Sequence, residues 1–155
     1  MCHRRPAWQL TSSPPLPLTL ATLLLADTME PEQLVYMDLA SAGYYGDFLP
    51  SSEWRMHLDI YRARPAAQAI LHAHPTYSTA LAVQRREIPA FHYMVGAAGG
   101  KKIPCAGYAT FGTQELSDEI LSALGDTYSG CLMANHGMVC PATFRRVNFS
   151  LLDFL

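Results

Sequence analysis

A single domain of mixed α/β class is what this sequence predicts, and three observations carry that prediction. Half of the 155 residues are apolar, 50% by composition, which at this length suffices for one packed core. Two stretches repeat apolar residues at helical spacing beside capping residues, "SSEWRMHLDIYRAR" (51–64) and "TQELSDEILSALG" (113–125). Two others are apolar runs of strand length, "AQAILHAHP" (67–75) and "GCLMANHGMVC" (130–140).

The order of elements follows from local chemistry. "EQLVYMDL" (32–39) reads as a strand and "SAGYYGDFLP" (41–50) as a glycine-rich loop. In 51–64, Ser51 or Ser52 is a natural N-cap, Glu53 falls in the first turn, and Trp54, Leu58 and Tyr61 form a buried stripe that Pro65 ends. The strand 67–75 leads into a second helix, "TYSTALAVQRR" (76–86). A strand and loop region rich in glycine and proline spans 88–112. The helix in 113–125 has Thr113 as cap, Leu116, Ile120 and Leu124 as its stripe, and Gly125 as C-cap. The last element, 130–140, is an apolar strand broken by Asn135, His136 and Gly137, and no internal repeat is visible.

Residues 1–27 differ from the rest, so the expected organisation is a divergent apolar segment (1–27), a domain (28–142) and a divergent tail (143–155). A basic start followed by the apolar run Leu16–Ala26 resembles a secretory signal, too short to span a bilayer. Pro14, Pro15 and Pro17 crowd that run and no cysteine framework follows it, so export is not the expectation and a cytoplasmic location is. A net charge of −2 with 15% charged residues leaves no basic field for nucleic acid or for an anionic membrane. Cys2, Cys105, Cys131 and Cys140 form no C-x-x-C pair and are read as free thiols, with Cys131 and Cys140 as packing residues.

The chemistry concentrates around "AILHAHPTYSTA" (69–80). Side chains two apart on a strand share a face, so His72 and His74 aim at one point and can present nitrogens about 2.0 to 2.1 Å from a zinc ion. Hydrogen-bonded histidines on a sheet face are the plain alternative. His136, in a second apolar strand, is costly to bury without a partner, and Gly137 beside it lets a group approach the backbone closely. Glu53 can serve as a carboxylate ligand or as a base. Three imidazoles with an open position suit a catalytic rather than a structural metal. His57 and His92 stand apart: His57 lies outside the helical stripe, and His92, next to Tyr93 on a strand, points to the opposite face.

The segments "LPSSEWRMHLDIYRARP", "LHAHPTYSTALA", "IPAFHYMVGAAGGKKIPCAGYATFGTQELSDEI" and "NHGMVC" together resemble the class II aldolase/adducin family, most of all its L-fuculose-1-phosphate aldolase branch, from about Met29 to Cys140. The resemblance implies an α/β/α sandwich around a central, mainly antiparallel sheet. It implies Zn2+, or Mn2+ or another divalent ion, on His72, His74 and His136, with Glu53 as catalytic acid/base. Ser51 and Ser52 match the family's phosphate contacts, and hydroxyls at a helix start do form an anion site. Tyr93 falls where the family places a proton donor serving a neighbouring subunit, and Phe111 where an aromatic residue lines the site.

The implied reaction is reversible aldol cleavage of a sugar phosphate such as L-fuculose 1-phosphate, through a metal-stabilised enediolate, in a homotetramer. Other family members use much the same centre for 4-epimerisation or dehydration of ketose phosphates, and the adducin branch is not catalytic. The family's "GN-x-S-x-R" and "TP-[ST]-G" segments have no counterpart here, and "CPATFRRVNFSLLDFL" stops where the family continues into a long helix. An incomplete domain is therefore expected.

Overall fold

The structure is a computed structural model, and it describes residues 16–18, 30 and 33–142. Most of the signal-like segment, Cys2 and the tail 143–155 lie outside the described residues.

The chain folds as an α/β/α sandwich with a central, mostly antiparallel sheet. Its strands are β4 (Ala69–Ala73), β7 (Cys105–Ala106), β8 (Cys131–Met133) and β9 (Gly137–Ala142), ordered β4-β9-β8-β7. The β4–β9 and β9–β8 pairs are antiparallel and β8–β7 is parallel. Two smaller sheets flank it. In one, β1 (Leu16–Leu18), β2 (Val35–Met37) and β3 (Tyr44–Tyr45) run antiparallel; in the other, β5 (Ile88–Pro89) pairs with β6 (Lys102–Ile103).

Strand alternation assigns the two faces of the central sheet. Cys131, Met133 and Val139 point to one side, where they pack with Met56 and Ile60 of α1 (Trp54–Ala63) and with Leu116, Ile120 and Leu124 of α3 (Gln114–Leu124). Leu132 and Met138 point to the other, against Ala82 of α2 (Thr76–Val83) and against Val95 and Ala98 of a 3-10 helix (Tyr93–Ala98). Two apolar layers thus sandwich the sheet, and their burial is the main stabilising term.

Several expectations hold. Thr113 caps α3, its hydroxyl accepting from the Leu116 N–H at 3.3 Å, and Gly125 is the C-cap. The stretch 130–140 is indeed interrupted at 134–136, where a turn joins β8 to β9 with Asn135 in the left-handed region (φ +56°). Asparagine tolerates that conformation better than most residues.

Others are corrected. α1 starts later than its sequence suggests: Glu53 is the N-cap and gives no side-chain cap bond. Neither serine caps it, because the Ser51 Oγ accepts instead from the Glu53 N–H (3.2 Å), a local turn that competes with helix capping. Trp54 is only partly buried, while Met56 and Ile60 join Leu58 and Tyr61 in the buried set, since α1 packs against two clusters rather than one. The loop 41–50 contains β3, paired to β2 through Tyr36↔Tyr45. His92 and Tyr93 are not on a strand. His92 caps the 3-10 helix that Tyr93 opens, its ring accepting from the Met94 N–H, and the two rings lie 4.4 Å apart instead of on opposite faces. Alternation does not apply once the chain coils. No helix among the described residues is long and apolar enough to cross a membrane.

Candidate metal centre

The face of the sheet that α1 covers carries the histidines. His72 pairs with Val139 across β4–β9, and Val139 packs toward α1 and α3. His74 follows one residue after β4 ends, and His136 sits in the β8–β9 turn. Glu53 arrives from the opposite layer at the start of α1. Three segments distant in sequence, the start of α1, the end of β4 and the β8–β9 turn, therefore deliver one cluster, in which a ligand atom of each of Glu53, His72, His74 and His136 lies within 4.8 Å of every other.

Its geometry suits a cation. The Nδ1 of His72 lies 2.9 Å from the Met138 carbonyl oxygen, which can only accept, so that nitrogen donates. In the neutral ring the lone pair is then on Nε2, aimed at His74 Nε2 (3.0 Å) and at the Glu53 carboxylate (2.8 Å). His136 Nε2 lies 3.3 Å from Glu53 Oε1, a buried oxygen that makes no hydrogen bond. The ring protons of His74 and His136 and one further proton on His72 can satisfy these contacts in the metal-free protein. A divalent ion bound by three imidazoles and a carboxylate satisfies them as well, and this donor set is one that zinc-type ions take. The Met138 carbonyl is the kind of outer contact that fixes a ligand ring's tautomer.

Electrostatics of the protein alone agree. Burial would raise the Glu53 carboxyl, yet the adjoining rings of His136 and His72 outweigh it and hold it well below the usual carboxylate range. Burial opposes charge on His72, but Glu53 and the Met138 carbonyl lift its pKa. His74 is lowered by burial and by the neighbouring imidazoles. Without a metal, the Glu53 carboxylate and the His72 ring, 2.8 Å apart, each favour the other's charged form.

The remaining predicted residues are placed as follows. Ser51 and Ser52 form the turn that leads into Glu53, next to the cluster in sequence and in space. Phe111 is 63% exposed, one residue before Gly112, which packs against the Ser52 backbone. Tyr93 is not brought to the cluster: it is 81% exposed on the 3-10 helix, whose buried residues pack on the far side of the sheet from α1. Cys131 and Cys140 are packing thiols, with burial pushing Cys140 up to about 12 and Cys131 higher still.

The close approach expected at Gly137 is made by the His74 ring, which a Cβ would strike, and by the Ala73 carbonyl oxygen, 2.6 Å from where that Cβ would stand. Sequence reading set aside one contributor, His57, four residues after Glu53 and so on its side of α1. Burial and the His72 charge hold His57 down to about 4, so it stays a neutral ring beside the cluster and outside the ligand set.

Fold and centre together define an α/β/α protein with a histidine–carboxylate metal-type site. Residues 18–143 match the family described as Class II Aldolase and Adducin N-terminal domain, and the chain belongs to that family. It is 48% identical over 99 residues to an L-fuculose phosphate aldolase of Escherichia coli O6:H1, covering 63% of this chain and 46% of that protein. It is 47% identical over 116 residues to a 5-methylthioribulose-1-phosphate/5-deoxyribulose-1-phosphate aldolase of Rhodospirillum rubrum, covering 75% and 52%. A solved L-fuculose 1-phosphate aldolase superposes with a TM-score of 0.71 at 36% identity, over 83% of this chain and 66% of that one. The chain spans about half the length of the curated relatives it matches.

Proposed function

We propose that this chain is a metal-dependent aldolase acting on a phosphorylated ketose such as L-fuculose 1-phosphate. The observation that carries this is the convergence of His72, His74, His136 and Glu53 from three separate segments onto one point, three imidazoles and a carboxylate within reach of a single ion. The two relatives above are named for different sugar phosphates, so the class of substrate is better supported than its identity.

His72, His74 and His136 hold the ion, Zn2+ or alternatively Mn2+. The ion, when bound, supplies Lewis-acid charge where negative charge develops on the substrate during C–C cleavage. Glu53 is the acid/base: its carboxylate stands at the centre, 2.8 Å from His72, where an oxygen can accept and return a proton, and it yields its place at the centre to substrate. The Ser51–Ser52 turn binds the phosphate, and Phe111 lines the approach. Tyr93 serves the site of a second copy as proton donor, consistent with its exposed ring, in a homotetramer. Three free thiols, Cys105, Cys131 and Cys140, suit a reducing cytosolic compartment.

Elemental analysis of the purified chain tests the centre. About one divalent ion per chain is expected, lost in the His72→Ala, His136→Ala double variant. Glu53→Gln should retain the ion and lose aldol cleavage by about 10²-fold or more, the usual share of a general acid/base. Absence of metal from the parent chain would favour a non-catalytic, adducin-like role. Cleavage undiminished in Glu53→Gln would remove Glu53 from the mechanism.

A further inference from the structure

The turn that precedes α1 is shaped from outside by the loop 107–112. Gly112 adopts φ +75°, and a Cβ there would lie 2.7 Å from the Ser52 carbonyl oxygen, so the two backbones touch with no side chain between them. The Gly112 carbonyl in turn accepts from Arg55 Nε at 3.4 Å, while the Arg55 guanidinium stacks over the Trp54 ring at 4.6 Å. At its other end the loop is anchored by the Gly107 N–H donating to Glu119 at 3.1 Å. It is closed by the Thr113 hydroxyl, which donates to the Thr110 carbonyl at 2.7 Å. Within the turn itself, the Ser51 carbonyl accepts from the Trp54 N–H at 3.0 Å and the Ser51 hydroxyl from the Glu53 N–H at 3.2 Å, while the contacts of Ser52 come from the loop.

We propose that Gly112 and Arg55 are positioning residues that set the conformation of the Ser51–Ser52 turn and thereby its affinity for a phosphate group. The inference rests on the reading of that turn as the phosphate contact. Hydroxyl and N–H donors discriminate an anion only if held within a fraction of an ångström, and a shift of about 1 Å can cost 10²-fold. A methyl group at Gly112 must push Ser52 away or distort the loop. Lysine at 55 keeps the positive charge near the turn but lacks the Nε–H that holds the Gly112 carbonyl.

The test uses the full chain loaded with Zn2+ and inorganic phosphate as the probe, titrated calorimetrically, with metal content measured on each sample. Phosphate binding weaker by about tenfold or more in Gly112→Ala and in Arg55→Lys, with metal content at the parent level, is the expected result. Should Gly112→Ala also lose metal, Arg55→Lys alone decides. Parent-like phosphate affinity in Arg55→Lys means that charge rather than position matters at 55, and such affinity in both variants overturns the proposal. A parent chain that holds metal but binds no phosphate overturns the phosphate reading of the serines and the proposal with it.

Discussion

Gly137 shows how tightly the centre is drawn. A Cβ there would strike the His74 ring and the Ala73 carbonyl, so no side chain larger than hydrogen fits without displacing a ligand or parting β4 from β9. Gly137→Ala should therefore weaken metal binding by about tenfold or more, the range seen when a ligand's support is removed. A metal-competition titration against a chromophoric chelator measures it, and parent-like affinity would mean that the ring has slack. The sequence disclosed part of this: a glycine beside a histidine in an apolar run signals close approach. Which group approaches depends on the β4–β9 register, which no local pattern states.

At the scale of elements, α1 matters because the serine turn and Glu53 lead directly into it, and its attachment to α3 is polar as well as apolar. Asp59 accepts from Ser117 Oγ (2.8 Å), Gln114 Nε2 (2.9 Å) and Arg62 Nη1 (3.0 Å), and Ser117 is fully buried. Asp59→Ala strands a buried hydroxyl, a change that costs about 1–3 kcal/mol. A lower midpoint in urea denaturation is the expected outcome, and an unchanged one would show that the apolar contact of α1 with α3 suffices. Helical periodicity announced both helices, because repeat spacing is a local property. It did not announce where α1 starts, because the Ser51 hydroxyl had two competing uses and chose the turn.

For the molecule as a whole, pH exposes the cost of burying imidazole beside the centre. His57 is held down to about 4 from an ordinary 6.5, chiefly by burial. Between those values the unfolded chain takes up a proton that the folded chain refuses. The His57 contribution is therefore complete above about pH 6.5 and is lost as pH falls toward 4. The shift corresponds to about 3 kcal/mol at most. Glu53 and Asp59, both held below the ordinary carboxylate range, add their losses only at lower pH. His74 is shifted in the same direction as His57 and His72 in the opposite one, so a comparison with a variant isolates the His57 share. Denaturation of metal-free parent and His57→Gln at pH 7, 6 and 5 should show a smaller fall in the variant. Parallel falls would assign the loss elsewhere.

The sequence by itself determined the class of fold, the caps and stripe of α3, the interruption of the last strand, and the candidate trio of histidines with Glu53. Each is written in short-range spacing, in residue chemistry, or in a set of motifs whose order marks a family. Tertiary structure decided what spacing cannot encode. It brought Glu53 across from another layer to His72, and gave His72 its tautomer through the Met138 carbonyl. It coiled the segment at Tyr93 into a 3-10 helix whose buried residues pack on the far side of the sheet from α1. It also fitted Gly112 against Ser52. These contacts join residues far apart in the chain, and their distances are fixed by the packing of two helical layers on one sheet, a property of the whole core rather than of any segment.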